Sequence, residues 1–108
     1  MNVYYDPEQL GLQTVGEISF DDDSYQFDMG VVWWHPEQRR FYYAEDSGCS
    51  CPSPFEDFTT IESLGEPLDL GGLTAKLRAL RPKEYGYPDE PLPVRVSRVL
   101  QRATEIAR

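Results

Sequence analysis

One histidine and two cysteines are all that this 108-residue chain offers for imidazole catalysis, thiol chemistry or soft-metal ligation. There is no Cys-x-x-Cys hook, no glycine-rich phosphate loop and no nucleophile with a base beside it. Basic residues are almost missing from the first 70 positions, which hold Arg39 and Arg40 and no lysine. No run approaches the ~20 apolar residues that cross a bilayer. The opening Met1 to Asp6 has neither the basic start nor the apolar run of a signal peptide. These gaps remove the common catalytic constellations and membrane spanning. The sequence therefore predicts a cytoplasmic, non-enzymatic protein with no cofactor and no membrane partner.

What is present is acid, and it is unevenly placed. The formal charge is −9, yet residues 1–70 carry 15 Asp and Glu against two arginines, a net −13. Residues 71–108 carry eight Lys and Arg against four acids, a net +4. Such a field repels nucleic acid from the first two thirds of the chain and attracts basic surfaces, including those of nucleic-acid-binding proteins. Direct contact with nucleic acid is not expected.

At this length the chain is one domain, large enough for a single core. Val15, Ile18 and Phe20 mark a first strand ending in the polar cluster Asp21, Asp22, Asp23 and Ser24. Tyr25, Phe27, Met29, Val31 and Trp33 then alternate with residues of the other face, the period of a half-buried strand. Pro36 cannot donate to a ladder, so the strand closes at His35 and a partner runs from Arg40 to Glu45. Trp33 and Trp34 point to opposite faces, so at least one side of the sheet needs cover beyond the primary core. Leu70, Leu73, Leu77 and Leu80 recur at helical spacing, with Asp69 placed to cap the start and Pro82 to stop the segment after Arg81. Pro93 suits a first helical turn, and Val96, Val99, Leu100, Ala103 and Ile106 form an apolar stripe behind it. The proline-rich stretch between the two helices, from Tyr85 to Pro93, reads as an extended connector.

These elements specify an α+β fold, a small antiparallel meander of three to four strands packed with two C-terminal helices. Residues 1–108 form a single domain, with an acidic meander over 1–62 and a helical, net basic part over 63–108. The expected core joins Val15, Ile18, Phe20, Tyr25, Phe27, Met29, Val31 and Trp33 to Leu73, Leu77, Val96, Val99, Leu100 and Ala103. A register slip of one would exchange Val32 and Trp34 for Val31 and Trp33.

The stretch that exceeds the needs of a plain small fold is Ser47-Gly-Cys-Ser-Cys-Pro-Ser-Pro-Phe-Glu-Asp57. Cys49 and Cys51 would close a small, strained ring if oxidised, so reduced thiols are expected. As metal ligands they would need His35 and Asp46 to complete a set, a weak array beside paired zinc hooks. Glu45, Asp46, Glu56 and Asp57 would raise rather than lower their thiol pKa values. The structural alternative makes them small apolar groups in a loop that Gly48, Pro52 and Pro54 lock, setting Phe55 and Phe58 against the sheet. Asp21, Asp22, Asp23 and Asp28 lack the spacing of a calcium loop and read as a solvated turn. Arg95, Arg98 and Arg102 lie on one face of the last helix, away from its apolar stripe. Internal or homotypic salt bridging to the surplus acids is favoured over a partner's acidic patch, and phosphate contact is the least favoured.

The opening Asn2-Val-Tyr-Tyr-Asp-Pro-Glu8, Gly16-Glu-Ile18, Tyr25-x-Phe-Asp-Met29 and the Ser47 to Asp57 block resemble a family of small uncharacterised proteins encoded by bacteriophages of actinobacteria, a domain of unknown function. The likeness covers about the first 60 residues. It implies a phage origin and an intracellular role in an infected or lysogenic host, and no activity from which a catalytic residue can be carried over.

The expectation for function is a small acidic protein that binds and modulates a host or phage protein. Its contact residues would be Asp21, Asp22, Asp23, Asp28, Glu45, Asp46, Glu56 and Asp57, with Trp34, Tyr42, Tyr43 and Phe55 as aromatic anchors. In the sharpest form the carboxylates mimic nucleic acid. Two alternatives stay open: a virion structural or assembly protein that forms homo-oligomers, and a metal-binding module at Cys49 and Cys51.

Overall fold

The computed structural model describes residues 3–20, 26–49, 55–81 and 91–108. Three strands, β1 (Gln13–Ser19), β2 (Gln26–His35) and β3 (Arg40–Cys49), form an antiparallel sheet in the order β1-β2-β3. Two helices follow, α1 (Leu70–Arg78) and α2 (Leu92–Ala107). The fold is the α+β meander with C-terminal helices that the sequence predicts. No helix among the described residues is long and apolar enough to cross a membrane.

Both faces of the sheet are buried, each against different material. On one face Val32 and Trp34 of β2 and Phe41 and Tyr43 of β3 pack with Leu73, Leu77, Val96, Val99, Leu100 and Ala103 of the helices. On the other, Val31, Trp33 and Tyr42 pack with Val3, Leu12, Phe55 and Leu64, which come from the segments before β1 and after β3. The expectation that Val31 and Trp33 share a core with the helices is therefore corrected. The helix face is the even-numbered one on β2, because alternate side chains of a strand cannot meet the same layer. Met29 lies on the loop-covered face, partly buried. Tyr25 and the Phe27 side chain lie outside what the structure describes.

Val15 and Ile18 share the helix face although they are three positions apart, a spacing that regular alternation forbids. A β-bulge resolves this: Thr14 pairs with Trp33 and Gly16 with Val32, leaving Val15 as the extra residue. Gly16 then lies beneath α2, where an added Cβ would stand 3.2 Å from a Val99 methyl.

The β2–β3 turn closes with the Arg39 amide donating to the His35 carbonyl at 2.8 Å, and Arg39 itself takes the left-handed conformation at φ 55°. Its guanidinium lies 5.6 Å from the Trp34 ring centre and donates to the carbonyl of Ala107, tying the hairpin to the end of α2. β3 runs on past Glu45, where the sequence places its end, as far as Cys49, which pairs with Gln26. Gly48 is thus a strand residue opposite Phe27 and not a loop residue as expected.

Asp69 caps α1 as expected, its Oδ1 accepting from the Gly72 amide at 2.7 Å. The helix ends at Arg78, short of Arg81. There the Arg81 guanidinium donates to the carbonyls of Arg78, Ala79 and Leu80, satisfying groups that a longer helix would have bonded internally. α2 begins after Pro91 with Pro93 in its first turn, and its stripe from Val96 to Ala103 is buried.

Candidate functional site

β3 ends beside the segment that follows it, and one side chain joins the two. Asp46 Oδ2 accepts from the Phe55 amide at 2.7 Å. Phe55 is fully buried, 5.5 Å from Trp33 and 5.1 Å from Phe58 between ring centres, both edge-on, and 5.8 Å from the stacked ring of Tyr4. Its backbone sits at φ 59°, a region that a bulky side chain rarely adopts. Phe58 donates its amide to the Phe55 carbonyl, and its own carbonyl accepts from Val3. The short turn between the two phenylalanines is therefore fastened on both sides, and its outward residues are Glu56 and Asp57, both exposed. Phe55 and Phe58 pack on the sheet as the structural reading of the loop expects.

Among the described residues, the carboxylates named from the sequence do not form one array. Asp46, Glu56 and Asp57 belong to the loop-covered side, whereas Asp28 and Glu45 project from the helix side, since strand side chains alternate. Asp28 is 5% exposed, which corrects its assignment to a solvated turn. Glu45 is exposed and its Oε2 accepts from the Tyr43 hydroxyl at 2.8 Å. Burial, then that hydrogen bond, then the charges of Glu45 and Asp28 push the Tyr43 phenol far above its ordinary pKa. A phenol so held stays protonated and serves as a fixed donor. Asp21, Asp22 and Asp23 lie outside the described residues.

The aromatic anchors are corrected as a group. Trp34, Tyr42, Tyr43 and Phe55 are all buried in the two cores, because a sheet covered on both faces consumes the aromatics of both. Tyr42 also donates to Gln38 Oε1 at 2.6 Å, which fastens the hairpin turn. The indole N–H of Trp33 is buried without a hydrogen-bond partner among the described residues.

Geometry also separates the metal candidates. His35 pairs with Arg40 at one end of the β2–β3 ladder and Cys49 with Gln26 at the other. Nine residue steps along a strand amount to roughly 30 Å. His35 is nearly buried beside Gly11, and its Nδ1 accepts from the Gln38 amide at 3.1 Å, the role of a hairpin-end residue. One ion cannot be shared by His35 and Cys49. Among the described residues no group of three or more His, Cys, Asp and Glu is placed to hold a metal. Cys51 and the Cys49 side chain lie outside the described residues.

On α2, Arg95 is half-buried and donates to the Ser19 carbonyl at 2.8 Å, so it ties the helix to the end of β1. Arg98 and Arg102 are exposed. Two features escaped the sequence reading. Tyr4 donates to Glu17 Oε2 at 3.0 Å, and burial followed by the Glu17 charge pushes its phenol up to about 12. Arg78 and Arg81 flank an apolar groove between the helices. The latter had a legible signal, two arginines three apart beside Leu77 and Leu80.

A family profile described as a domain of unknown function, DUF7574, matches residues 1–106, and the chain belongs to that family. No curated protein and no solved structure matches the chain.

Proposed function

We propose that this DUF7574 member is a non-catalytic protein-binding domain that engages a basic surface on a host or phage protein through the acidic end of its sheet. We infer further that it is encoded by a bacteriophage of actinobacteria and works in the cytoplasm of the infected or lysogenic host. The observation that carries the reading is the turn after Phe55. A bulky residue is held at positive φ by the Asp46 carboxylate and by burial against Trp33, and the result is that Glu56 and Asp57 face solvent on a fastened backbone. Strained backbone of this kind persists where the surroundings over-determine it, and such places cluster at binding sites. Charges presented on a pre-organised loop lose little entropy on binding. Glu45, exposed at the same end of β3, extends the negative potential to the helix side.

The test is capture of partners by the tagged protein from actinobacterial lysate, with and without nuclease and at low and high salt. A protein retained after nuclease treatment, released at high salt and lost with Glu56→Lys/Asp57→Lys supports the proposal. Retention that ignores both salt and the double substitution would refute it.

A further inference from the structure

We propose that the groove between α1 and α2 receives Tyr5 of a second copy of this chain, giving a head-to-tail association. The groove has a volume of about 300 Å³ and is walled by Leu77, Leu80, Leu92, Pro93 and Val96. That size is at the lower limit of small-molecule pockets, suited to one aromatic side chain rather than a helix. Arg78 and Arg81 complete the lining. Arg78 uses one guanidinium nitrogen on Ser97 Oγ, and Arg81 uses one on the carbonyls that end α1. Among the described residues each keeps further N–H donors for a carboxylate.

The chain carries a matching plug. Only two large apolar side chains among the described residues are strongly exposed, Tyr5 at 59% and Val94 at 45%. Tyr5 is followed by Asp6 and Glu8, which supply the charge that the arginine rim attracts. Val94 stands in the first turn of α2, between groove residues Pro93 and Val96 in sequence. A single contact would therefore bring both exposed apolar residues to one interface. A tyrosine seated in an apolar pocket and ringed by arginine is a common form of interface anchor.

Tyr5 cannot fill the groove of its own chain. Its neighbour Tyr4 packs on the Trp33 and Phe55 side of the sheet, and the helices cover the opposite side. The contact is consequently between molecules and heterologous, so each copy offers one plug and one groove, and association propagates unless a ring closes.

Sedimentation velocity from ~10 µM to ~1 mM protein covers the affinity that one anchor and a charged rim would give. At low salt the average mass should climb with concentration past the dimer, and ~0.5 M salt should weaken the association. Tyr5→Ser and the double variant Arg78→Glu/Arg81→Glu should each reduce association at least ~10-fold. Thermal melts of these exposed-site variants check that they are folded. Mixed one to one, the two should form a heterodimer that grows no further, since one retains only the groove and the other only the plug. A wild-type chain that stays monomeric throughout the range overturns the proposal. So does association that Tyr5→Ser leaves intact, or a mixture that fails to pair.

Discussion

Gly30→Ala should destabilise this protein, although the same substitution at an open strand position stabilises by roughly 0.5–1 kcal/mol. Gly30 lies in β2 opposite Glu45, and Tyr43 is its diagonal neighbour on β3. The Tyr43 ring crosses Gly30 to deliver its hydroxyl to Glu45. An added Cβ would stand 2.6 Å from Tyr43 Cζ and 2.7 Å from Cε1, and would overlap the hydroxyl oxygen outright. The ring is buried and cannot swing aside without disturbing its surroundings. Overpacking of this kind costs about 1–3 kcal/mol. Losing the Tyr43–Glu45 bond adds about 1 kcal/mol, since exposed Glu45 recovers water. The total of about 2–4 kcal/mol lowers Tm by roughly 10 °C or more.

The control is Tyr43→Ala, which by itself costs about 3–5 kcal/mol as a truncated buried aromatic. With the ring gone, Gly30→Ala should become neutral or mildly stabilising, so a double-mutant cycle should give a coupling of about 2–4 kcal/mol. Urea melts of the four proteins measure it. A neutral Gly30→Ala in the wild-type background, or an equal loss in both backgrounds, refutes the reasoning.

Asp46→Ala should destabilise by about 1–3 kcal/mol by leaving the Phe55 amide unbonded. Chemical denaturation gives the number, and a change within ~0.5 kcal/mol would show that the carboxylate fastens nothing. Alkaline titration by tyrosinate absorbance should show Tyr4 ionising near 12 and Tyr43 later still, against an ordinary value of ~10. Because folding raises both pKa values, the unfolded chain loses these protons first, and stability falls as pH climbs from ~10. Tyr4→Phe should remove the step near 12, and a wild-type chain whose tyrosines all ionise at ~10 while folded would contradict these environments.

The strands and helices were legible because each rests on local chemistry: the alternation through β2, the Asp69 cap, the leucine spacing of α1 and the stripe of α2. The assignment of faces was not. Val31-Val-Trp-Trp34 gives both faces the same residues in the same order, so alternation alone cannot say which one the helices cover. The deciding facts are tertiary. Gly30, on the helix face, clears a path for Tyr43, and Phe55 on the other face fills the space over Trp33. The bulge at Val15 was hidden for the same reason, since an extra residue in a strand has no signature apart from its partner. At the candidate site, the acids could be named from sequence. Their distribution over two sides could not, because it follows from the register of β2 and β3.

That distribution changes what kind of binding the domain can support. The four aromatics named as anchors, Trp34, Tyr42, Tyr43 and Phe55, are spent on two thin cores, each needed because a three-stranded sheet has too little of its own mass to hide either face. A carboxylate array continuous enough to imitate a phosphate backbone would have to lie on one side, and among the described residues Asp28 and Glu45 oppose Asp46, Glu56 and Asp57 across the sheet. Mimicry along a long track is therefore disfavoured relative to a compact contact at the end of β3, with two exposed carboxylates on a fastened turn. Such a contact draws on core packing for its shape. Trp33, Phe55 and Phe58 set the turn, so under the proposed function substitutions that loosen this core should weaken partner binding before they unfold the domain, whereas those under α1 and α2 should destabilise without weakening that binding.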